Sequence, residues 1–273
     1  MSAHSTTPLA STPLTGFLRG SGPALLLAHG ASSDIADSFG PLVDHLADTN
    51  TVIAPDYPGS GATPADLEPL TLDSLADRLV HTAVMSGSDQ VAILGFSTGS
   101  AVAVRAATRH PERVSALILS AGLARPNPRL HLIVDTWRRL ARADDQHTLA
   151  AYLLLIGWKA AWLDALSASE LTALAGRIPP HLPPGADAQL DLLARVDIRA
   201  DLTEITVPVL LVAGAHDQVI SATLTEQLAA GIPGAGLVVL DSGHALAAEQ
   251  PAEWAGAIVE FLSTVRDHHR TNR

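Results

Sequence analysis

The chain alternates between two hydrophobic patterns. Short runs that are apolar at almost every position occur at residues 24–28, 51–54, 91–94, 116–119, 208–213 and 237–240. Between them, apolar residues return every three or four positions, as in Phe39, Leu42, Val43 and Leu46, or Leu72, Leu75, Leu79 and Val80. A short, wholly apolar run predicts a strand buried on both faces, and the longer spacing predicts an amphipathic helix. Strand and helix in turn predict an α/β fold, a mostly parallel central sheet flanked by helices. One helix is expected around residues 39–46, and others over 72–85, after residue 97, over 222–230 and over 251–265. The last should turn Trp254, Ile258, Phe261 and Leu262 inward.

The alternation fails once. From Arg125 to about Asp201 no strand-like run occurs, and helical patches at 131–141 and 149–166 are followed by Pro179, Pro180, Pro183 and Pro184. Three of the four tryptophans (Trp137, Trp158, Trp162) and one of the two tyrosines (Tyr152) fall in this stretch. It is expected to be a helical cap inserted into the core. The organisation that follows is a loose tail at 1–13, a core made of 14–124 and 202–268, a cap at 125–201 and a polar tail at 269–273.

Composition narrows the function classes. No apolar run approaches the ~20 residues of a membrane span. The Ser/Thr/Pro-rich start lacks the basic stretch and apolar block of a signal peptide, so a cytoplasmic location is expected. The chain has no cysteine, which excludes disulfides, thiolate nucleophiles and cysteine-bound zinc. A formal net charge of -11 argues against nucleic acid as a partner and favours a neutral small molecule as substrate. No two histidines share a plausible site with carboxylates, so no metal and no cofactor are expected.

The candidate chemistry lies at strand ends. Residues 91–94 run into Gly95-Phe96-Ser97-Thr98-Gly99, and a helical pattern of small residues follows. Gly-x-Ser-x-Gly between strand and helix is the pattern of a nucleophile elbow, a turn so sharp that side chains at the two glycine positions would collide with neighbouring backbone. Asp217 follows the strand run at 208–213, and His244 follows that at 237–240. In a parallel sheet those ends share one edge, where ligands gather. Asp217 could also be an ordinary turn residue and His244 a surface histidine; the order serine, acid, histidine favours the functional reading.

With His29-Gly30-Ala31, Asp56-x-x-Gly59-x-Gly61, Gly214-x-x-Asp217 and Gly243-His244 added to the elbow, the chain resembles the α/β-hydrolase superfamily, in its cap-bearing branch. The resemblance spans nearly the whole chain; the cap carries no assignable pattern. It implies Ser97 as nucleophile, His244 as general base and then acid, and Asp217 as the carboxylate that orients the imidazole. It also implies backbone N–H donors at Ala31 and Thr98 for the oxyanion, a structural role for His29 under that site, and a loop-shaping role for Asp56. His216, Asp241, His268 and His269 read as turn or surface residues. Phe39 and Phe96 flank the expected cleft, while Tyr152, Trp158 and Trp162 either line a pocket or form cap core. The activity expected is hydrolysis of an ester, thioester or lactone of a small, mostly apolar molecule. The same fold also serves acyl transfer, perhydrolysis, cyclisation or elimination, carbon–carbon cleavage and, without chemistry, small-molecule reception. The elbow sequence itself is similar to that of non-haem haloperoxidases.

Overall fold

The computed structural model describes residues 12–143, 145–178 and 182–271, with side chains through Asp267. Most of the expected N-terminal tail, Pro179 and Pro180, residues 272–273 and the side chains of His268 and His269 lie outside the described residues.

The first half of the core runs β1 (Gly16–Arg19), β2 (Ala24–Ala28), α1 (Ile35–Phe39), α2 (Leu42–Ala47), β3 (Thr51–Pro55), α3 (Leu72–Met85), β4 (Val91–Phe96), α4 (Thr98–Arg109) and β5 (Val114–Ser120). The segment that follows forms α5 (Pro128–Arg142), α6 (Gln146–Gly157), α7 (Ala160–Asp164), α8 (Ala168–Ala175) and α9 (Ala186–Arg195). The core then resumes with β6 (Val209–Gly214), α10 (Ala222–Gly231), β7 (Gly236–Leu240), α11 (Leu246–Glu249) and α12 (Pro251–Thr271). The seven strands form one sheet in the order β1-β3-β2-β4-β5-β6-β7. Only β1 is antiparallel, to β3; every other pairing is parallel.

The apolar runs of β2 to β6 become strands because both sheet faces are covered. β4 is buried along its whole length, in register with β2 on one side and β5 on the other. One face packs against α3 and α4 through Leu75, Leu79, Val102 and Val104. The other packs against α1, α2 and α12 through Phe39, Leu46, Trp254 and Ile258. Trp254, fully buried, donates its indole N–H to Ser120 Oγ at 2.9 Å, so the one polar atom of a large core side chain is satisfied. Thr71 caps α3 by accepting the Ser74 amide at 3.1 Å. Among the described residues no helix is long and apolar enough to cross a membrane.

Four elements depart from the expectations. β7 comes from an apolar run expected to be buried on both faces, yet at the edge of the sheet its residues are exposed or half-buried. β1 has no apolar run behind it: its four residues are exposed, and pairing with β3 alone makes it a strand. The helix expected around Phe39 and Leu46 is two short helices, split at Gly40 (φ 44°) and Pro41, whose ring cannot sit in a helix interior. The last helix continues past Val265 to Thr271, so the stretch read as a polar tail is helical through most of its length.

Candidate active site

The elbow is built as tightly as its glycines require. Ser97 stands between β4 and α4 with φ 54° and ψ -120°, a region that L-residues rarely occupy. A Cβ on Gly95 would lie 2.5 Å from the Gly99 carbonyl oxygen, and one on Gly99 would collide with the Ala28 carbonyl of β2. The strain is held in place by neighbours. Ser97 N–H donates to Ser120 O at 2.9 Å, and Ser100 Oγ donates to Gly95 O and Ser120 O. Thr98 opens α4, so its amide has no partner within the helix.

Asp217 follows β6, and its side chain is wholly buried. One carboxylate oxygen accepts the amides of Val219 and Ile220, both at 2.8 Å. The other accepts His244 Nδ1–H at 2.7 Å. An ionised carboxylate only accepts, so this pairing puts the proton of a neutral imidazole on Nδ1 and leaves Nε2 as a base. His244 in turn lies against the ring of Phe96, the residue before Ser97, with centroids 4.9 Å apart.

The loop after β2 forms another wall. His29 is completely buried: its Nδ1–H donates to Gly30 O at 2.8 Å, and its Nε2 accepts the Tyr57 amide at 2.8 Å. Burial lowers its pKa to about 4. The ring also packs against that of Tyr57, tilted by 34° with centroids 4.0 Å apart. His29 is thus a neutral structural link between two loops. Asp56 accepts the Ile35 amide at 3.0 Å and shapes the same region; burial raises its carboxyl pKa.

The segment of α5 to α9 meets this edge at several places. On one side, buried Gln189 of α9 accepts the Ser32 amide at 2.8 Å and donates to Pro58 O and Ser60 Oγ. On the other, Glu249 of α11 accepts the Gly243 amide at 3.0 Å and the Lys159 amide at 3.2 Å, joining the histidine loop to the end of α6. Burial raises the carboxyl pKa of Glu249. Ala245 N–H donates to Gly157 O at 2.9 Å, and a Cβ on Gly243 would meet Gly157 O at 2.7 Å. An apolar cluster fills the junction, with Ala31, Leu123, Ile133, Ile156, Val219 and Ile220 among its members and Trp137 packed on it.

The predicted aromatics divide. Phe96 touches His244. Phe39 does not flank the cleft: it has no exposed surface and lies beneath the sheet, stacked on Trp254 with centroids 6.0 Å apart. Its place at a helical apolar spacing, which also predicts core, is the pattern that prevails. Tyr152 packs on the junction cluster and donates its hydroxyl to Ile133 O at 3.0 Å. Trp158 and Trp162 pair with each other at 6.5 Å beside the histidine loop. His216 points outward to Asp241 at 2.9 Å, and Lys159 joins the same carboxylate at 2.7 Å. Gln189 and Glu249 were missed by sequence reasoning. Gln189 carried a usable signal, a polar residue at helical spacing between the apolar Ala186, Leu190 and Leu193.

A seven-stranded, mostly parallel sheet, a strained serine at an elbow and a half-buried histidine paired with a buried aspartate define an α/β hydrolase. The model of the alpha/beta hydrolase fold matches residues 23–251, and the chain belongs to that family and is an enzyme of it. It is 27% identical over 245 residues, 89% of this chain and 92% of the relative, to pyrrolizixenacetamide deacetylase of Xenorhabdus hominickii. It is 31% identical over 246 residues, 84% of this chain and 73% of the relative, to pimeloyl-[acyl-carrier protein] methyl ester esterase of Neisseria meningitidis. Among solved structures it is similar to a thermophilic esterase from Thermogutta terrifontis, with TM-score 0.79 and 26% identity over 91% of this chain and 92% of that one.

Proposed function

We propose that the protein is a serine hydrolase that cleaves an ester, thioester or lactone of a small, mostly apolar molecule through an acyl-enzyme. Ser97 attacks the carbonyl carbon while His244 Nε2 takes the hydroxyl proton. Asp217 stabilises the resulting imidazolium, and the amides of Ala31 and Thr98 hold the oxyanion. The protonated imidazole delivers its proton to the leaving group. Water then enters by the same route and releases the acid.

The observation that carries this reading is the 2.7 Å contact of His244 Nδ1 with a carboxylate that also accepts two backbone amides. Asp217 is too well held to swing away, so the imidazole is fixed with its basic nitrogen on the far side. The preference for an apolar acyl group rests on the junction cluster around Ala31, and the preference for a neutral substrate on the net charge of -11. The 27% identity to a deacetylase supports cleavage of a small amide as a second reading, with the same residues in the same roles.

The test is Ser97→Ala assayed on short p-nitrophenyl esters. Turnover should vanish while the circular dichroism spectrum is unchanged; turnover equal to that of the parent refutes the mechanism. Parallel assays with p-nitroacetanilide separate the ester and amide readings. Incorporation of oxygen-18 from labelled water into the acid product separates hydrolysis from acyl transfer or perhydrolysis.

A further inference from the structure

We propose that Gln189 is a positioning residue for the oxyanion site: by holding the Ser32 amide from the cap, it aims the neighbouring Ala31 N–H at the reacting carbonyl. The inference rests on the reading of Ala31 as an oxyanion donor and adds a cap residue to the machinery.

The loop from His29 to Ser33 is tied on every side but one. His29 anchors its start to Tyr57. The Gly30 amide donates to Ser38 Oγ at 3.1 Å, and the Ser32 amide to Gln189 Oε1 at 2.8 Å. The amides on both sides of Ala31 are thereby engaged within the protein, and the donor between them takes its direction from those two anchors. Ser38 lies on a core helix. Gln189 lies 157 residues away in the chain, on the cap.

Ser32 needs an external hold. Its φ is 59°, the left-handed region that disfavours a non-glycine residue, and its buried hydroxyl has no hydrogen-bond partner among the described residues. Its own side chain therefore does nothing to keep it there. The Gln189 carboxamide is the group that binds its backbone.

Gln189 is itself immobilised. It is 1% exposed, and its amide nitrogen donates to Pro58 O at 3.2 Å and Ser60 Oγ at 2.9 Å. Ser60 Oγ donates onward to Ser33 O at 2.6 Å, so the same side chain grips the loop at Ser32 and, through Ser60, at Ser33. The start of α9 is seated close enough for this: Gly185 N–H donates to Gly59 O at 3.0 Å, and a Cβ on Gly185 would collide with Pro58 O. Burying a carboxamide at this depth is unfavourable unless its groups are paired, and a leucine would have extended the apolar face of α9. The pairing is split between the Pro58–Ser60 loop, which takes its two donors, and the loop that carries Ala31, which takes its acceptor.

The experiment compares Gln189→Met, which keeps length and flexibility but cannot bond the loop, with the parent enzyme on a p-nitrophenyl ester. Removing an oxyanion donor lowers rate by about 10²–10³, and misaiming one should lower kcat by about 10–100-fold with KM within about threefold. Affinity for a trifluoromethyl ketone, which forms a tetrahedral oxyanion on serine, should weaken by the same factor as kcat/KM. The pH midpoint of kcat/KM should stay in place, because the Asp217–His244 pair is untouched. A second variant, Ser60→Ala, removes the Gln189–Ser60–Ser33 relay but leaves the Gln189 contacts with Ser32 and Pro58, and should lose about two- to tenfold in kcat, which keeps the test open if Gln189→Met does not fold. An unchanged kcat in a folded variant, or a loss confined to KM or to melting temperature, overturns the proposal. Stoichiometric, slowed labelling of Gln189→Met by a fluorophosphonate shows that the serine chemistry is intact; a failure of that chemistry shows instead as activity retained in Ser97→Ala.

Discussion

The neutral, buried His29 should make the fold sensitive to mild acid. The Tyr57 amide can only donate, so His29 Nε2 must stay unprotonated for the 2.8 Å contact to exist. Protonation would set one N–H against another in a site with no exposed surface. Burial lowers the imidazole pKa from 6.5 to about 4. In the unfolded chain the histidine titrates near the ordinary 6.5. Between those values the unfolded state binds a proton that the folded state refuses, so stability rises with pH and is lost as pH falls through this window. At ~1.4 kcal/mol per tenfold in proton affinity, the whole interval is worth about 3 kcal/mol, of which about 2 kcal/mol should be gone by about pH 5. That is a large share of the 5–15 kcal/mol typical of a native protein. The assay is urea unfolding between pH 7 and pH 4.5, followed by tryptophan fluorescence and far-ultraviolet circular dichroism on the parent and on His29→Gln. The glutamine keeps an acceptor toward Tyr57 and cannot titrate. The variant should be the less stable at pH 7, and the gap should narrow by about 2 kcal/mol by pH 5. Stability curves that stay parallel from pH 7 to pH 5 refute the reasoning.

Other expectations follow from single contacts. Asp217→Asn must turn its NH2 either toward the Val219 and Ile220 amides, which sets donor against donor, or toward His244 Nδ1, which selects the wrong tautomer; in either case the imidazolium loses its counter-charge, and kcat should fall by about 10³–10⁴ with little change in KM. Gly99→Ala places a methyl group on the Ala28 carbonyl, and should cost about 3 kcal/mol or prevent folding, read as a loss of soluble protein or of the melting transition. Tyr57→Phe removes a buried hydroxyl that has no partner among the described residues; the melting temperature should hold or rise, and a fall of several degrees would reveal a hidden hydrogen bond.

Much of this molecule is written in local order. The apolar runs marked six of the seven strands; for five of them, β2 to β6, the reason is that a strand covered on both faces has no polar position to confuse the pattern. The elbow was legible for a related reason: the steric demand that forces glycine at 95 and 99 acts between residues a few positions apart and on the strand beside them. The sites of Asp217 and His244 could be read as strand ends, and their order suggested a shared edge. The sequence alone did not contain the 2.7 Å contact between them, which depends on β6 and β7 lying side by side and on the Val219 and Ile220 amides turning the carboxylate toward the imidazole.

Where tertiary structure decided, the partner was distant. β1 is a strand only because β3 is beside it. Phe39 was placed at the cleft from its neighbourhood in the chain, yet the stacking of Trp254, more than two hundred residues on, makes it core. Gln189 looked like one polar residue in a patternless cap until α9 settled on Gly59 and brought its carboxamide to Ser32. Periodicity records which face of an element avoids water, and it is blind to which loop that face will meet. Hydrogen bonds between remote segments exist only once the apolar surfaces have packed.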